Sequence, residues 1–252
     1  MNSIFFSIIM PAYNAEKFIS DSIKSVLSQT YKNFELIIID DCSLDQTVKV
    51  VQNYIAQDKR VNLVKKDKNQ GVAEARNTGL KHAKGDFVAF LDSDDKWAED
   101  KLEKQLAVLK ERNDVDVVYG SYYRFNSDGI KNIVKVPNLL DKKQLLKGNP
   151  IGNLTAIYNF KKYSQIRQKN IGHEDYLFWL EIFNSSPDVK GIGIQEPIAY
   201  YRVAEDSKNL SGNKLKAASW TWTIYRKHLK LNLISSLFYF SYYMIKAILK
   251  RV

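Results

Sequence analysis

Five short apolar runs, separated by amphipathic stretches, occupy the first 120 residues: IFFSIIM (4–10), FELIII (34–39), VNLV (61–64), DFVAFL (86–91) and VDVVY (115–119). Runs of this length without a polar face suit strands buried on both sides. The segments between them repeat at helical spacing. Phe18, Ile19, Ile23, Val26 and Leu27 share one helical face after Asn14, which reads as an N-cap, and Ser43 with Gln46 reads as a capping box opening a helix to about Gln57. Residues 72–83 and 98–111 supply two further helices. Such regular alternation predicts an α/β fold, a mostly parallel sheet with helices on both faces. Residues 120–205 are less regular, with a helix predicted from about His173 to Phe183, and the pattern is helical again from about Lys214.

In an open parallel sheet, ligands bind beyond the carboxyl ends of the strands. Those ends carry Pro11-Ala12-Tyr13-Asn14, Asp40-Asp41-Cys42-Ser43 and Asp92-Ser93-Asp94-Asp95. Asp92 and Asp94, two apart on extended chain, can face one pocket. Hard oxygen ligands of this kind suit Mg²⁺ or Mn²⁺ shared with a substrate phosphate, although a solvated acidic turn explains them equally well. Asp40 and Asp41 could accept hydrogen bonds from a base or ribose. Gly71 precedes a helix whose first turns carry Arg76, either a cation for a diphosphate or a solvated surface group.

The segments FSIIMPAYNAEKFISDSIKSVLSQTYKNFELIIIDDCSLDQT and NQGVAEARNTGLKHAKGDFVAFLDSDD resemble the opening blocks of family 2 glycosyltransferases of the GT-A fold, of the bacterial surface-polysaccharide type. The likeness is strong over residues 4–112 and fainter to about 205. It implies a Rossmann-like GT-A catalytic domain over 1–205, with a nucleotide-sugar-binding half (1–112) and an acceptor-binding half (113–205), followed by a basic, aromatic helical tail (206–252). It also implies a UDP-sugar donor and Mn²⁺ or Mg²⁺. By the same resemblance Pro11, Tyr13 and Asp41 would surround the uracil, with Asn14 and Ser93 in the donor site and Arg76 at the base or diphosphate. Asp92 would reach the ribose and help Asp94 with the metal. Gly172-His173-Glu174-Asp175-Tyr176 resembles the family's Glu-Asp element, which makes Asp175 the base of an inverting transfer and Glu174 its support. Two acids at a helix start also simply suit its dipole, and His173 reads as a capping or surface residue.

The chain departs from the family pattern in two places. Cys42 stands where glycine is frequent, which implies a slightly stiffer loop around a bystander thiol. Tyr200-Tyr201-Arg202-Val203-Ala204 has Ala204 where a histidine is common, which leaves Arg202 to serve the diphosphate. The Gln-X-X-Arg-Trp element of processive synthases is absent, so one addition per encounter is expected.

The formal net charge of +10 suggests a polyanion partner until it is located. Residues 207–252 hold nine Lys/Arg and no Asp or Glu, leaving 29 basic against 28 acidic groups in the rest. The body is near neutral, so no nucleic-acid partner is expected. Leu231 to Ile245 carries no charge but is short of the roughly 20 residues of a membrane span. Its stripes, Asn232, Ser236, Tyr239, Tyr243, Lys246 and Lys250 against Leu233, Ile234, Leu237, Phe238, Met244 and Ile245, predict a helix lying in a membrane interface. The competing reading packs it on the catalytic domain or on a second subunit of a homo-oligomer. The single cysteine excludes an internal disulfide, and MNSIFFSIIMP has no secretory-signal pattern, so a cytoplasmic protein is expected, peripheral on the inner membrane through 214–252. The acceptor expected there is an undecaprenyl-diphosphate-linked sugar, in O-antigen, capsule or lipopolysaccharide assembly. The alternatives are a sugar-nucleotide nucleotidyltransferase, which would want a glycine-rich phosphate loop with a lysine where PAYNAEKF stands, and a non-enzymatic membrane-binding module.

Overall fold

The computed structural model describes residues 3–112, 114–203 and 214–249. The first four apolar runs become β1 (Phe6–Ala12), β2 (Phe34–Asp40), β3 (Val61–Lys65) and β4 (Phe87–Phe90), all parallel and ordered β3-β2-β1-β4. Beyond β4 the same sheet continues through β9 (Ile157–Asn159), β6 (Val117–Asn126), β10 (Gly191–Arg202) and β5 (Lys96–Trp97). β7 (Gly129–Val134) pairs with β6, and β8 (Leu139–Leu140) with β10. β9 runs antiparallel to both β4 and β6, and this restores the common direction for β6 and its parallel neighbour β10. The carboxyl ends of β1, β2, β4, β6 and β10 therefore share one edge.

Side-chain alternation divides the core in two, as the strand period of 2 requires. Ile9, Ile37, Ile39, Val88 and Phe90 face one layer, with Ala75 and Leu80 of α3 (Val72–His82) and the apolar body of α7 (Glu174–Asn184). Ile8, Met10, Leu36, Ile38 and Ala89 face the other, with α1 (Ile19–Leu27), α2 (Thr47–Ile55) and α4 (Lys101–Glu111). The short α5 (Lys142–Leu146) and α6 (Phe160–Tyr163) sit in the irregular half, α5 opened by a capping box on Asp141.

Two predicted helix caps are corrected. Helix α1 starts at Ile19 after Phe18, and α2 starts at Thr47 after Gln46, neither with a side-chain cap. Asn14 and Ser43 are used between loops instead: the Asn14 N–H donates to Ser43 Oγ (3.0 Å), and the Leu44 N–H donates to Asn14 Oδ1 (2.8 Å). A side chain that answers a neighbouring loop is no longer free to cap its own helix.

The tail forms α8 (Lys214–Thr223), a π-helical turn (Ile224–His228) and α9 (Leu233–Leu249). Tyr225 anchors it: its hydroxyl meets that of Tyr176 on α7 at 3.1 Å and donates to the Leu146 carbonyl at 2.5 Å. On α9, Ser236 is buried and Tyr239 and Phe240 pack against the core, while Ile234 is 81% exposed and Leu233, Leu237, Phe238 and Ile245 are each more than half exposed. The helix both packs on the protein and turns its apolar stripe outward. Among the described residues no helix is long and apolar enough to cross a membrane.

Gly85 lets β1 and β4 meet, since a Cβ there would lie 2.5 Å from the Ser7 nitrogen and 2.8 Å from the Phe87 oxygen. Both obstacles are backbone and cannot swing aside. Gly85→Ala is expected to destabilise the fold by about 1–3 kcal/mol, read as a lower midpoint in urea; an unchanged midpoint would contradict this packing.

Candidate active site

At the β2 end, Asp41 is 3% exposed and its carboxylate is occupied within the protein. It accepts from Lys66 Nζ (2.5 Å) and from the backbone N–H groups of Gln70 (3.1 Å) and Gly71 (2.7 Å). Asp41 thus organises the loop that leads into α3, at the rim where Pro11 is buried and Tyr13 stands 49% exposed. Cys42 follows with φ +68°, in the left-handed region, which gives glycine at this position a physical reason.

The Asp92–Asp95 loop is held from two sides. The Ser22 hydroxyl of α1 donates to the Ser93 carbonyl (2.9 Å). From β10, the Arg202 N–H donates to Asp95 Oδ1 (2.7 Å) and its Nε to the Asp94 carbonyl (2.9 Å), with the guanidinium lying 4.3 Å from the Phe18 ring centre and 4.5 Å from that of Phe125. Three carboxylates are nevertheless crowded. Burial, then the charge of Asp92, pushes the Asp94 carboxyl above the usual carboxylate range. Burial, then Asp92 and Asp94, pushes that of Asp95 well above it.

Arg76 is the cation beneath this cluster. It is 4% exposed, and its terminal nitrogens reach Asp92 Oδ1 (2.6 Å), Gln168 Oε1 (3.1 Å) and Glu174 Oε1 (3.7 Å). Burial opposes its charge, but Asp92, Glu174 and Asp175 outweigh that and raise its pKa. One guanidinium therefore ties the Asp-X-Asp loop to the start of α7, drawing together the strand-end acids and the Glu174-Asp175 pair.

Glu174 and Asp175 open α7, and both carboxyls are raised by burial; Asp175 adds to the rise of Glu174, while Arg76 pulls both back down. Asp175 accepts from the Tyr176 N–H (2.8 Å) and lies 3.4 Å from Asn149 Nδ2. His173 occupies the N-cap position of α7 without a side-chain cap hydrogen bond, and it is half-buried. It adopts φ +61° and packs its ring edge-on to Trp220 of α8, 5.3 Å between centres. A Cβ on Gly172 would fall 1.9 Å from the same indole, so only glycine fits where the tail meets this loop.

Among the described residues no three His, Cys, Asp or Glu side chains gather into a metal cage. What is present suits a divalent ion that takes part of its shell from a ligand: half-buried Asp94 is crowded by the charge of Asp92, and such an ion would relieve that repulsion. Ala204 lies outside the described residues.

Several residues of the site carried no readable signal in the sequence. Gln168, 2% exposed, joins Arg76 and exchanges hydrogen bonds with Asn77 of α3 (2.8 and 2.9 Å) across 91 positions. Asn149 reaches Asp175 from an irregular loop.

The glycosyl transferase family 2 profile matches residues 7–180. The putative teichuronic acid biosynthesis glycosyltransferase TuaG of Bacillus subtilis is 38% identical, covering 98% of this chain and 97% of that one. The UDP-Glc:α-D-GlcNAc-diphosphoundecaprenol β-1,3-glucosyltransferase WfgD of Escherichia coli is also 38% identical, over 89% of this chain and 86% of its own. In structure the chain is similar to S. aureus TarS in complex with UDP-GlcNAc, with a TM-score of 0.73 at 22% identity over 96% of this chain and 72% of that one, a likeness of fold. These findings set aside the nucleotidyltransferase and the non-enzymatic module, and they agree with the Rossmann-like sheet and the acids along its carboxyl edge: the chain is a glycosyltransferase of GT-A fold belonging to glycosyl transferase family 2.

Proposed function

We propose that this enzyme is an inverting, metal-dependent transferase that moves a hexose from a UDP-sugar to a hydroxyl of a sugar carried on undecaprenyl diphosphate, in the assembly of a surface polysaccharide such as O-antigen, capsule or lipopolysaccharide. The observation that carries this reading is the convergence of Asp92, Glu174 and Asp175 around buried Arg76 at the carboxyl edge of the sheet. Glucose, galactose and their N-acetyl forms all fit the class, and glucose is the first to test because WfgD is named for UDP-Glc and for a GlcNAc-diphosphoundecaprenol acceptor.

In this mechanism the UDP-sugar lies along the loops after β1, β2 and β4. Pro11 and Tyr13 border the uracil, Asn14 and Asp41 hold the loops beneath it, and Asp92 with Ser93 meets the ribose side. Asp175 takes the proton of the acceptor hydroxyl as its oxygen bonds to the anomeric carbon, on the side opposite the breaking bond to UDP. Glu174 and Arg76 keep Asp175 in place, and Arg76 acts through these carboxylates rather than by touching the diphosphate. Mg²⁺ or Mn²⁺ on Asp94, with Asp92 beside it, would supply Lewis-acid stabilisation of the departing UDP. Arg202, stacked between Phe18 and Phe125, lends positive charge to the same side.

Attachment to the cytoplasmic face of the inner membrane belongs to the same proposal. The outward stripe of Leu233, Ile234, Leu237, Phe238 and Ile245 lies on a segment with nine basic and no acidic residues from 207 onward, the combination that seats a helix in an anionic lipid interface.

Asp175→Asn is expected to leave UDP affinity within about twofold and to lower kcat by about 10²–10⁴, measured by release of UDP in the presence of acceptor; full turnover would move the base elsewhere. Because burial raises the Asp175 carboxyl and the base must be ionised, kcat/KM should begin to fall with decreasing pH above the ordinary carboxylate pKa of about 3.9. Asp94→Asn should reduce UDP-sugar binding in Mn²⁺ to the level seen in EDTA, and affinity equal to the wild type would remove the metal from Asp94. Cosedimentation with phosphatidylglycerol vesicles at about 0.15 M salt should recover the wild type and lose the Ile234→Glu/Phe238→Glu protein; wild type left in the supernatant would remove the membrane from the proposal.

A further inference from the structure

Helix α7 begins on an unusual residue. An N-cap ordinarily has extended backbone and a short polar side chain that receives the first N–H groups. His173 instead lies in the left-handed region, φ +61° and ψ +44°, and its side chain makes no cap hydrogen bond. Its carbonyl accepts the Leu177 N–H at 3.1 Å, so the backbone at His173 sets the first turn of α7, which carries Glu174 and Asp175. A residue other than glycine persists in this conformation only where its surroundings over-determine it.

The tail supplies those surroundings. The Trp220 indole of α8 packs edge to face with the His173 ring, 5.3 Å between centres at 81°. It also fills the space beside Gly172, where a Cβ would lie 1.9 Å from Cδ2, 2.1 Å from Cε2 and 2.4 Å from Cγ of the indole. Gly172 has no left-handed φ, so its backbone would accept a side chain and the indole is what excludes one. Burial lowers the His173 pKa against the charge of Glu174, which keeps the ring neutral and leaves Glu174 to Arg76. The indole has a packed support of its own. Ala217, Ala218 and Thr221 of α8 are buried, Trp222 meets Phe240 of α9 at 5.3 Å, and Tyr225 joins Tyr176 and the Leu146 carbonyl.

A base works only where it is held against the proton it takes, and a misplacement of about 1 Å costs on the order of 10²-fold in rate. We infer that Trp220 is a positioning residue for the transfer: its indole fixes Gly172 and His173, and through them the first turn of α7 that bears Glu174 and Asp175. The inference rests on the reading of Asp175 as the base, and it makes α8 a part of the catalytic body.

The test compares Trp220→Ala, Trp220→Phe, Gly172→Ala and the Gly172→Ala/Trp220→Ala double variant of the full-length protein. UDP release is measured with UDP-glucose and α-GlcNAc diphosphate on a short alkyl chain, and amide hydrogen exchange at Leu177 reads the first turn without any substrate. Trp220→Ala should speed that exchange, lower kcat about tenfold to hundredfold and leave the KM for UDP-glucose within about twofold. Trp220→Phe, which keeps a ring against His173, should restore most of kcat. Gly172→Ala should lower kcat by itself and cost nothing further beside Trp220→Ala, because the ring it strikes is gone. A KM near that of the wild type also shows that the variants are folded. Unchanged Leu177 exchange or unchanged kcat in Trp220→Ala, a loss carried by KM, no rescue by phenylalanine, or additive losses in the double variant would overturn the inference. Asp175→Asn in the same assay decides the base separately: full activity there fails the base reading, whereas its loss beside a fully active Trp220→Ala protein fails only the positioning.

Discussion

The Arg76 guanidinium is the group on which the site depends. A buried cation costs several kcal/mol in lost hydration unless carboxylates compensate it closely, and carboxylates crowded in one cleft repel unless a cation lies among them. Each condition answers the other here. Arg76 reaches Asp92 at 2.6 Å and Glu174 at 3.7 Å, and these belong to segments more than 80 positions apart in the chain. The residue that the sequence offers as either a cation for a diphosphate or a solvated surface group is buried, and it ties the Asp92–Asp95 loop to the start of α7. Even with that tie in place, burial and mutual repulsion hold the Asp94 and Asp95 carboxyls above the usual carboxylate range.

Around that tie, each supporting loop is pinned by a group from a distant element. Asp41 gathers Lys66, Gln70 and Gly71, Asn14 and Ser43 join the first two loops, and Arg202 fastens the Asp-X-Asp turn to β10. The tail is part of the same scaffold. Trp220 sits against Gly172 and His173, and Tyr225 meets Tyr176, the residue that follows Asp175. The surface that carries the outward apolar stripe of α9 is thereby joined through packed side chains to the start of α7.

The parts legible in the sequence were the local ones. Apolar runs fixed the strands because burial on both faces leaves no polar alternation, and the acids after β2 and β4 stood out because strand ends are where such a sheet binds ligands. The helix starts at Asn14 and Ser43 were misread for a physical reason: a capping residue cannot be told from one that hydrogen-bonds a neighbouring loop until that loop's position is known. Gln168 and Asn149 were illegible on similar grounds. They lie in the irregular half and acquire their roles only through contacts such as Arg76 to Gln168, 92 positions apart. The tail was half legible, since its two stripes were plain but the choice between packing and exposure was not. In the structure both hold: Ser236, Tyr239 and Phe240 pack inward, while Leu233, Ile234, Leu237, Phe238 and Ile245 face outward.

The most direct test of the central claim, that the strand-end acids bind a nucleoside-diphosphate sugar with a divalent ion, is a calorimetric titration of the purified protein. Its ligands are UDP and a panel of UDP- and GDP-sugars, each in Mn²⁺ and in EDTA. The account predicts that UDP and one UDP-sugar bind in Mn²⁺, bind far more weakly in EDTA, and are preferred over every GDP-sugar. No binding by any of them in a folded protein, or binding that is indifferent to the metal, would contradict it.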